Sequence, residues 1–414
     1  MKKHVITASL LLSAMTTFGG GYQLNLQGLR QMAMGGSGTA WPWDASTIFY
    51  NPGGLSRLKG IQIYAGTMMI MPTTAYGNRD NSGVVSSNEQ TARQTFMPFN
   101  LYIGGPVHED SRIGVGLGIY SPFGTGMKWD DNWMGRYIVQ SVDLKTVFFQ
   151  PTVSYRATDW LSVGAGFVVG TGSFDMTRAL PVHGLQGPGL DDGQASLHGN
   201  AAGVGFNVGA QIKMSENLQL GLTYRSQVNM DIDGGAAKFR VPTSLKDSFP
   251  GTTFSARLPM PAVATAGFGW RRGDFTLQMD FSYTAWSAYD SLRIDFRQTT
   301  TSLTNMRAPR LYRNTFTPRL GVHYKISRVV ALMAGGAYDP TPVVNDIVSP
   351  DLPDADRIVL SCGITVKPLP GLTIMGAFEG VNSVKRNGEY VYAGFNGVYK
   401  TAVATPAIGL YYSF

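Results

Sequence analysis

Ile113-Gly114-Val115-Gly116-Leu117-Gly118-Ile119-Tyr120 is the stretch on which the fold turns. A strand sends successive side chains to opposite faces, so Ile113, Val115, Leu117 and Ile119 share one face and three glycines share the other. Such a ribbon suits a wall with lipid on its apolar side and a crowded lumen on its glycine side. The pattern returns in Leu161, Val163, Ala165, Phe167 and Val169, and again in Leu218, Leu220, Leu222 and Tyr224. Working outward, fourteen segments of alternating character can be marked: near 60–71, 95–105, 112–123, 142–156, 160–175, 198–213, 217–232, 256–271, 274–289, 312–325, 328–340, 356–367, 371–383 and 400–414.

The connections carry as much information as the segments. Every second one is short, as at Ala157–Asp159, Met214–Glu216 and Arg272–Gly273. Those between them are long, as at Gly124–Ser141, Met176–Leu197 and Thr341–Ala355. Short turns at one end and long loops at the other are what transmembrane β-barrels show, whereas a soluble sandwich has no reason to keep the alternation. Composition agrees. Charged residues are only 15% of the 414, glycines number 51, and after the start there is no apolar run of the roughly 20 residues a membrane helix needs. The fold class is therefore all-β, an antiparallel barrel of about 14 strands.

Met1-Lys2-Lys3-His4 ahead of the apolar Val5–Ala14 reads as a secretory signal, with residues 1–19 removed before a mature start at Gly20. Losing Lys2 and Lys3 takes the formal charge from +7 to +5, with no basic run, which argues against nucleic acid as a partner. Cys362 is the only cysteine, so no intrachain disulfide forms. Of the remaining histidines, His108 and His183 fall in connections and His198 and His323 in segments. None has the spacing of a metal site or a nucleophile's partner, so neither catalysis nor a cofactor is expected.

One stretch lacks the alternation. Residues 20–58 open with Gly20-Gly21-Tyr22-Gln23-Leu24-Asn25, pass Gly35-Gly36-Ser37-Gly38, and close with Asp44-Ala45-Ser46-Thr47-Ile48-Phe49-Tyr50-Asn51-Pro52-Gly53. This segment resembles the N-terminal hatch of the FadL family of outer-membrane channels for long-chain fatty acids and other hydrophobic compounds. The family's Asn-Pro-Ala appears here as Asn51-Pro52-Gly53. Further matches follow in order: Gly135-Arg136-Tyr137, Thr223-Tyr224-Arg225-Ser226, Tyr283-Thr284-Ala285-Trp286-Ser287, and the pair Asp339-Pro340-Thr341-Pro342-Val343 and Pro353-Asp354-Ala355-Asp356-Arg357.

The resemblance implies a hatch at 20–58 plugging a barrel of 59–414, and passive uptake of a hydrophobic small molecule across the outer membrane. Long loops would collect the cargo, and a lumen pocket gated by the hatch would hold it. It places Tyr22 and Leu24 in that pocket and Arg313 opposite a substrate carboxylate, by alignment on Leu320-Gly321. A second cationic position of the family falls near Ser173, for which Arg178 can substitute. Cargo would leave sideways through the wall. Pro122 has no N–H for a ladder bond, so an inward distortion of the third strand is expected at Pro122-Phe123-Gly124, meeting the hatch at Asn51-Pro52-Gly53. The implied surroundings are outer-membrane lipid and lipopolysaccharide, with the barrel assembly machinery reading the C-terminal Phe414 of a monomer. Two other readings stay open. One is a porin for polar solutes, with Asp191-Asp192 at a constriction; the other is a surface barrel whose loops bind a partner.

Overall fold

A computed structural model describes residues 20–79, 85–182 and 192–414. Residues 1–19, expected to be a signal segment, and His183 and Asp191 lie outside the described residues. Fourteen wall strands follow one another: β1 (Gln62–Met68 and Met71–Arg79), β2 (Val85–Gln90 and Phe99–Pro106), β3 (Ile113–Tyr120 and Gly124–Lys128), β4 (Ser141–Arg156), β5 (Leu161–Leu180), β6 (Gly193–Lys213) and β7 (Leu218–Arg225 and Val228–Arg240). The ring continues through β8 (Thr252–Met260 and Val263–Arg272), β9 (Phe275–Thr284 and Ser291–Phe296), β10 (Met306–Pro309 and Thr315–Lys325), β11 (Val330–Asp339), β12 (Arg357–Leu369), β13 (Leu372–Ser383) and β14 (Phe395–Ser413). Each pairs antiparallel with the next, and β1 closes on β14 from Gln62↔Ser413 to Met68↔Ala407. No described helix is long and apolar enough to cross a membrane; the crossing is made by strands.

In the half nearer the short turns, the outer face is apolar: Phe167 is 55% exposed and Leu360 65%. Tyr155, Trp160, Tyr324, Tyr412 and Phe414 lie exposed near the turns themselves, where outer-membrane barrels carry an aromatic girdle. The inner face of the same half is polar and buried, with Gln150, Asn207, Gln211 and Gln278. Several strands run further than the marked segments, as β5 to Leu180 and β6 from Gly193. The reason is an inversion of polarity. Beyond about Gly170 the inward residues become apolar (Phe174, Met176, Leu197, Met230, Ile232), while Asp175 pairs with His198 and Arg257 with Asp231 on the outside. Backbone pairing continues through the inversion without a shift between β5 and β6.

Residues 20–58 fill the lumen with two short helices, α1 (Leu29–Ala33) and α2 (Thr47–Tyr50), and a 3-10 turn at Pro52–Arg57. Their backbone rests directly on strand glycines. A Cβ at Gly221 would lie 2.1 Å from Thr39 O, one at Gly164 2.4 Å from Pro52 C, and one at Gly335 2.2 Å from Met34 C. Polar wall side chains then satisfy the hatch backbone: Asp280 accepts from Gly38 N at 2.8 Å and Thr39 N at 3.0 Å, and Gln150 Nε2 donates to Ile48 O at 2.7 Å.

Candidate functional site

Two features meet where the upper, apolar lumen joins the hatch, and a third is built from other residues of the upper barrel. The first is a cage of rings. Tyr22 is buried with its ring 4.8 Å from Trp286, 5.7 Å from Tyr289 and 6.1 Å from Phe123, and Tyr312 closes the group at 5.1 Å from Tyr289. The Tyr22 hydroxyl donates to Pro259 O at 2.5 Å. Just before it, Gly21 N donates to Asp354 Oδ2 at 2.9 Å, and Arg357 donates to Gly21 O at 3.1 Å. The first residues of the hatch thus hang from Asp354 of the 340–356 connection, from Arg357 at the start of β12 and from Pro259 of β8.

That connection is itself pinned by a buried pair, Arg310 to Asp351, at 2.5 Å. Burial alone would push the Asp351 carboxyl up; the adjoining guanidinium outweighs it and holds the group below its ordinary value. Arg386 adds bonds to Asp354 O at 2.6 Å and Val343 O at 2.7 Å.

The second feature is an interruption of β3. Tyr120 pairs with Phe148 and Gly124 with Lys145, so residues 121–123 face only residues 146 and 147 across the ladder. One extra residue on one strand is a bulge, which bends that strand. Pro122 and Phe123 are buried, and the strand turns to the hatch: Leu24 N donates to Pro122 O at 2.9 Å, and Gly124 N donates to Tyr22 O at 3.0 Å. On the β2 side, ladder pairing stops at Asn100↔Tyr120. Above it, among the described residues, the upper segment of β3 pairs only with β4, with one backbone bond toward β2, Ala92 N to Lys128 O at 2.7 Å. The Phe96 ring lies across Gly126 in this interval.

The third feature is an outer cavity of about 440 Å³ among Met176, Leu180, Leu197, Phe239, Phe249 and Phe296, with Arg178 and Arg307 as its cations. An apolar cavity with one or two charged groups is the chemistry of a site for an amphiphile.

A family model described as "Outer membrane protein transport protein (OMPP1/FadL/TodX)" matches residues 10–414. The chain belongs to this family. As a member of OMPP1/FadL/TodX it is a protein of the bacterial outer membrane. It is 24% identical over 399 residues to a long-chain fatty acid transport protein of Escherichia coli, covering 88% of this chain and 87% of the relative. It is 26% identical over 420 residues to outer membrane protein P1 of Haemophilus influenzae, covering 90% and 89%. Among solved structures, a Pseudomonas aeruginosa FadL homologue superposes with a TM-score of 0.83 at 21% identity, covering 95% of this chain and 100% of that one. The Pseudomonas putida toluene transporter TodX gives 0.72 at 16% identity, covering 94% and 98%.

In this FadL-family chain the residues singled out from sequence separate into groups. Tyr22, Leu24, Pro122, Phe123 and Gly124 come together as described. Asn51-Pro52-Gly53 sits elsewhere, which corrects the contact expected for it. Asn51 Nδ2 donates to Thr39 O at 2.9 Å and Ala210 O at 3.0 Å, and Pro52 packs on Gly164 of β5. The turn needs a flat glycine wall on which to rest, and β5 and β6 provide it; the kinked β3 instead meets the extended Tyr22–Leu24, which can pair with it. Arg178 lines the outer cavity. Arg313 is exposed, with its N–H on Pro342 O at 2.8 Å, and the buried guanidinium of that stretch is Arg310. Strand β10 is broken at 310–314 and Leu311 takes φ 48, so a position counted back from Leu320-Gly321 along a regular strand does not keep its face. His323, placed in a segment by the sequence, is buried with its ring 4.7 Å from Trp43, and its Nδ1 has no hydrogen-bond partner. Sequence reasoning assigned no role to the cage partners Tyr289 and Tyr312 or to the Arg310–Asp351 pair, whereas Phe123, Trp286, Asp354 and Arg357 lay in quoted motifs.

Proposed function

We propose that the protein carries hydrophobic small molecules, of the long-chain fatty acid or monoaromatic class, inward across the outer membrane without an energy source. The fatty acid class comes from the names of its sequence relatives and the aromatic class from the toluene transporters and monoaromatic hydrocarbon channel among its structural neighbours. The observation that carries the reading is the bulged β3, which meets Tyr22–Leu24 of the hatch beside an unladdered interval of wall.

In this scheme the outer cavity collects cargo, with Arg178 or Arg307 toward a carboxylate when there is one. Each methylene buried is worth about 0.8 kcal/mol, so capture is easy and release is the hard step. Displacement of Tyr22 from its ring cage opens the way from the apolar upper lumen to the interval between β2 and β3. Exit there delivers the molecule into lipid, where its transfer free energy is recovered, and spares it the aqueous periplasm.

The test is a Phe96→Cys, Gly126→Cys pair in a Cys362→Ser background, since Cys362 is the single native thiol. Bridging the two cysteines should stop uptake of both a radiolabelled fatty acid and toluene in cells with normal amounts of barrel, and reduction should restore it. Uptake undiminished by the bridge would place the exit elsewhere.

A further inference from the structure

The opposite end of the lumen has a chemistry that passage of a hydrophobic molecule does not use. Beneath the hatch, at the short-turn end, lies a cavity of about 860 Å³ lined by seven Lys or Arg side chains and one carboxylate, Asp274, a local formal balance of 7 − 1 = +6. Arg30 and Arg57 come from the hatch; Arg271, Lys325 and Lys367 come from β8, β10 and β12. Arg30 has a carboxylate neighbour, Asp44, at 3.7 Å. Among the described residues, Arg271, Lys325 and Lys367 have none within salt-bridge distance.

Like charges gathered round one cavity repel, and the repulsion is least screened where water is least abundant. Hatch-to-wall packing accounts for Arg57, which donates to Ser162 Oγ at 2.7 Å, and for Arg271, which lies over Trp41, but not for Lys325 or Lys367. A second observation points the same way. Trp41, Arg30 and His323 are only 5%, 7% and 4% exposed, and all three line the cavity, yet Trp41 Nε1, Arg30 Nε and His323 Nδ1 find no hydrogen-bond partner. Buried polar atoms are normally satisfied. The indoles also hold the cations in place, with the Arg271 guanidinium 4.1 Å from the Trp41 ring centroid and that of Arg30 5.4 Å from Trp43.

We infer that this vestibule is a binding site for a multivalent oxyanion, a phosphate or polycarboxylate group, which bridges Arg30 of the hatch to Arg271, Lys325 and Lys367 of the wall. A single negative charge offsets too little of the balance, and a hydrophobic ligand would desolvate the cations without return. A bound oxyanion would tie the foot of the hatch to three strands at once. It also stabilises the folded chain by mass action, because the unfolded chain lacks the site. The group can belong to a soluble periplasmic compound or to the phosphate of an inner-leaflet lipid; the chemistry is shared.

The experiment uses the full barrel in a neutral detergent, followed by thermal unfolding with inorganic pyrophosphate and, separately, with sodium chloride at matched ionic strength. A parallel arm compares nanodiscs of phosphatidylglycerol with nanodiscs of phosphatidylcholine. A saturable rise in unfolding temperature with pyrophosphate beyond that with chloride, absent in Arg271→Gln/Lys325→Gln/Lys367→Gln, supports a soluble anion. The same loss confined to the phosphatidylglycerol arm supports a lipid phosphate. Should the triple variant not fold, Lys367→Gln alone is expected to weaken the effect about threefold, as for one exposed charge. Equal shifts with pyrophosphate and chloride and no difference between the nanodiscs, or shifts that persist in the variants, would overturn the site.

Discussion

The foot and the head of the hatch are held by different physics. At the foot, Asn51-Pro52-Gly53 rests on unbroken strands: its backbone touches Gly164, the Asn51 and Pro52 side chains touch Gly209, and Ser154 Oγ donates to Gly53 O at 3.1 Å. At the head, Gly21 to Leu24 hangs from Asp354, Arg357, Pro259 and the bulged turn of β3. The foot is fixed by close packing on a regular lattice, which cannot deform by small steps. The head is fixed by a few polar bonds to loops and by ring contacts, and those can be exchanged one at a time. Under the proposed transport scheme, a plug fixed at one end and exchangeable at the other has both kinds of hold.

The largest effect is expected where the head's support is itself pinned. Asp351→Ala leaves the Arg310 guanidinium buried without a counter-charge, a change that costs about 3–5 kcal/mol. Limited proteolysis should then cut the 340–356 connection, and Arg310→Leu with Asp351→Leu should recover much of the protection. Acid offers a second handle. Because the Asp351 carboxyl is held below its ordinary value, its contribution is intact above the unfolded carboxylate value of about 3.9. It fades only as pH falls through the lower folded value. Protection of the 345–356 amides, taken relative to intrinsic exchange, should therefore have a component that persists down to that range and is lost below it, and Asp351→Asn should remove that component.

A smaller effect tests the foot. Asn51→Ala removes the donor to Thr39 O and Ala210 O and the acceptor for Gly53 N. Stranding buried partners costs about 1–3 kcal/mol. The unfolding temperature should drop while uptake per folded barrel is unchanged. Lost uptake at unchanged stability would erase the distinction between foot and head.

The smallest is Tyr22→Phe, which keeps the ring in its cage and deletes only the bond to Pro259 O, worth about 0.5–1.5 kcal/mol. Exchange of the Leu24 and Gly124 amides, which bond across the hatch–β3 contact, should quicken, and that of the Gly53 amide should not. If Gly53 quickens equally, foot and head move as one body.

Much of this was legible without coordinates. The Ile113–Tyr120 alternation announced a wall with lipid outside and close packing inside, and Gly114 did turn out to be a seat for hatch backbone, with Gly116 and Gly118 making room for the Ile48 side chain. Strand count followed from the rhythm of turns and loops. What escaped was the upper half of the barrel: there Phe174 and Met176 point in and Asp175 points out, so the alternation reverses its meaning and no longer marks a membrane-facing strand.

Pro122 alone told that β3 could not pair regularly, because a missing N–H is a property of the residue. Which segment fills the bend was not a property of any residue. Tyr22–Leu24 takes that place because extended backbone can donate to Pro122 O and accept from Gly124 N, while the Asn51 turn rests on Gly164 of β5 and Gly209 of β6. The ring cage and the cationic vestibule are likewise assembled from residues far apart in the chain, as Tyr22 with Trp286 and Arg30 with Lys367. A single chain carries the period of its own strands, but closing fourteen of them into a ring decides which distant side chains share one cavity.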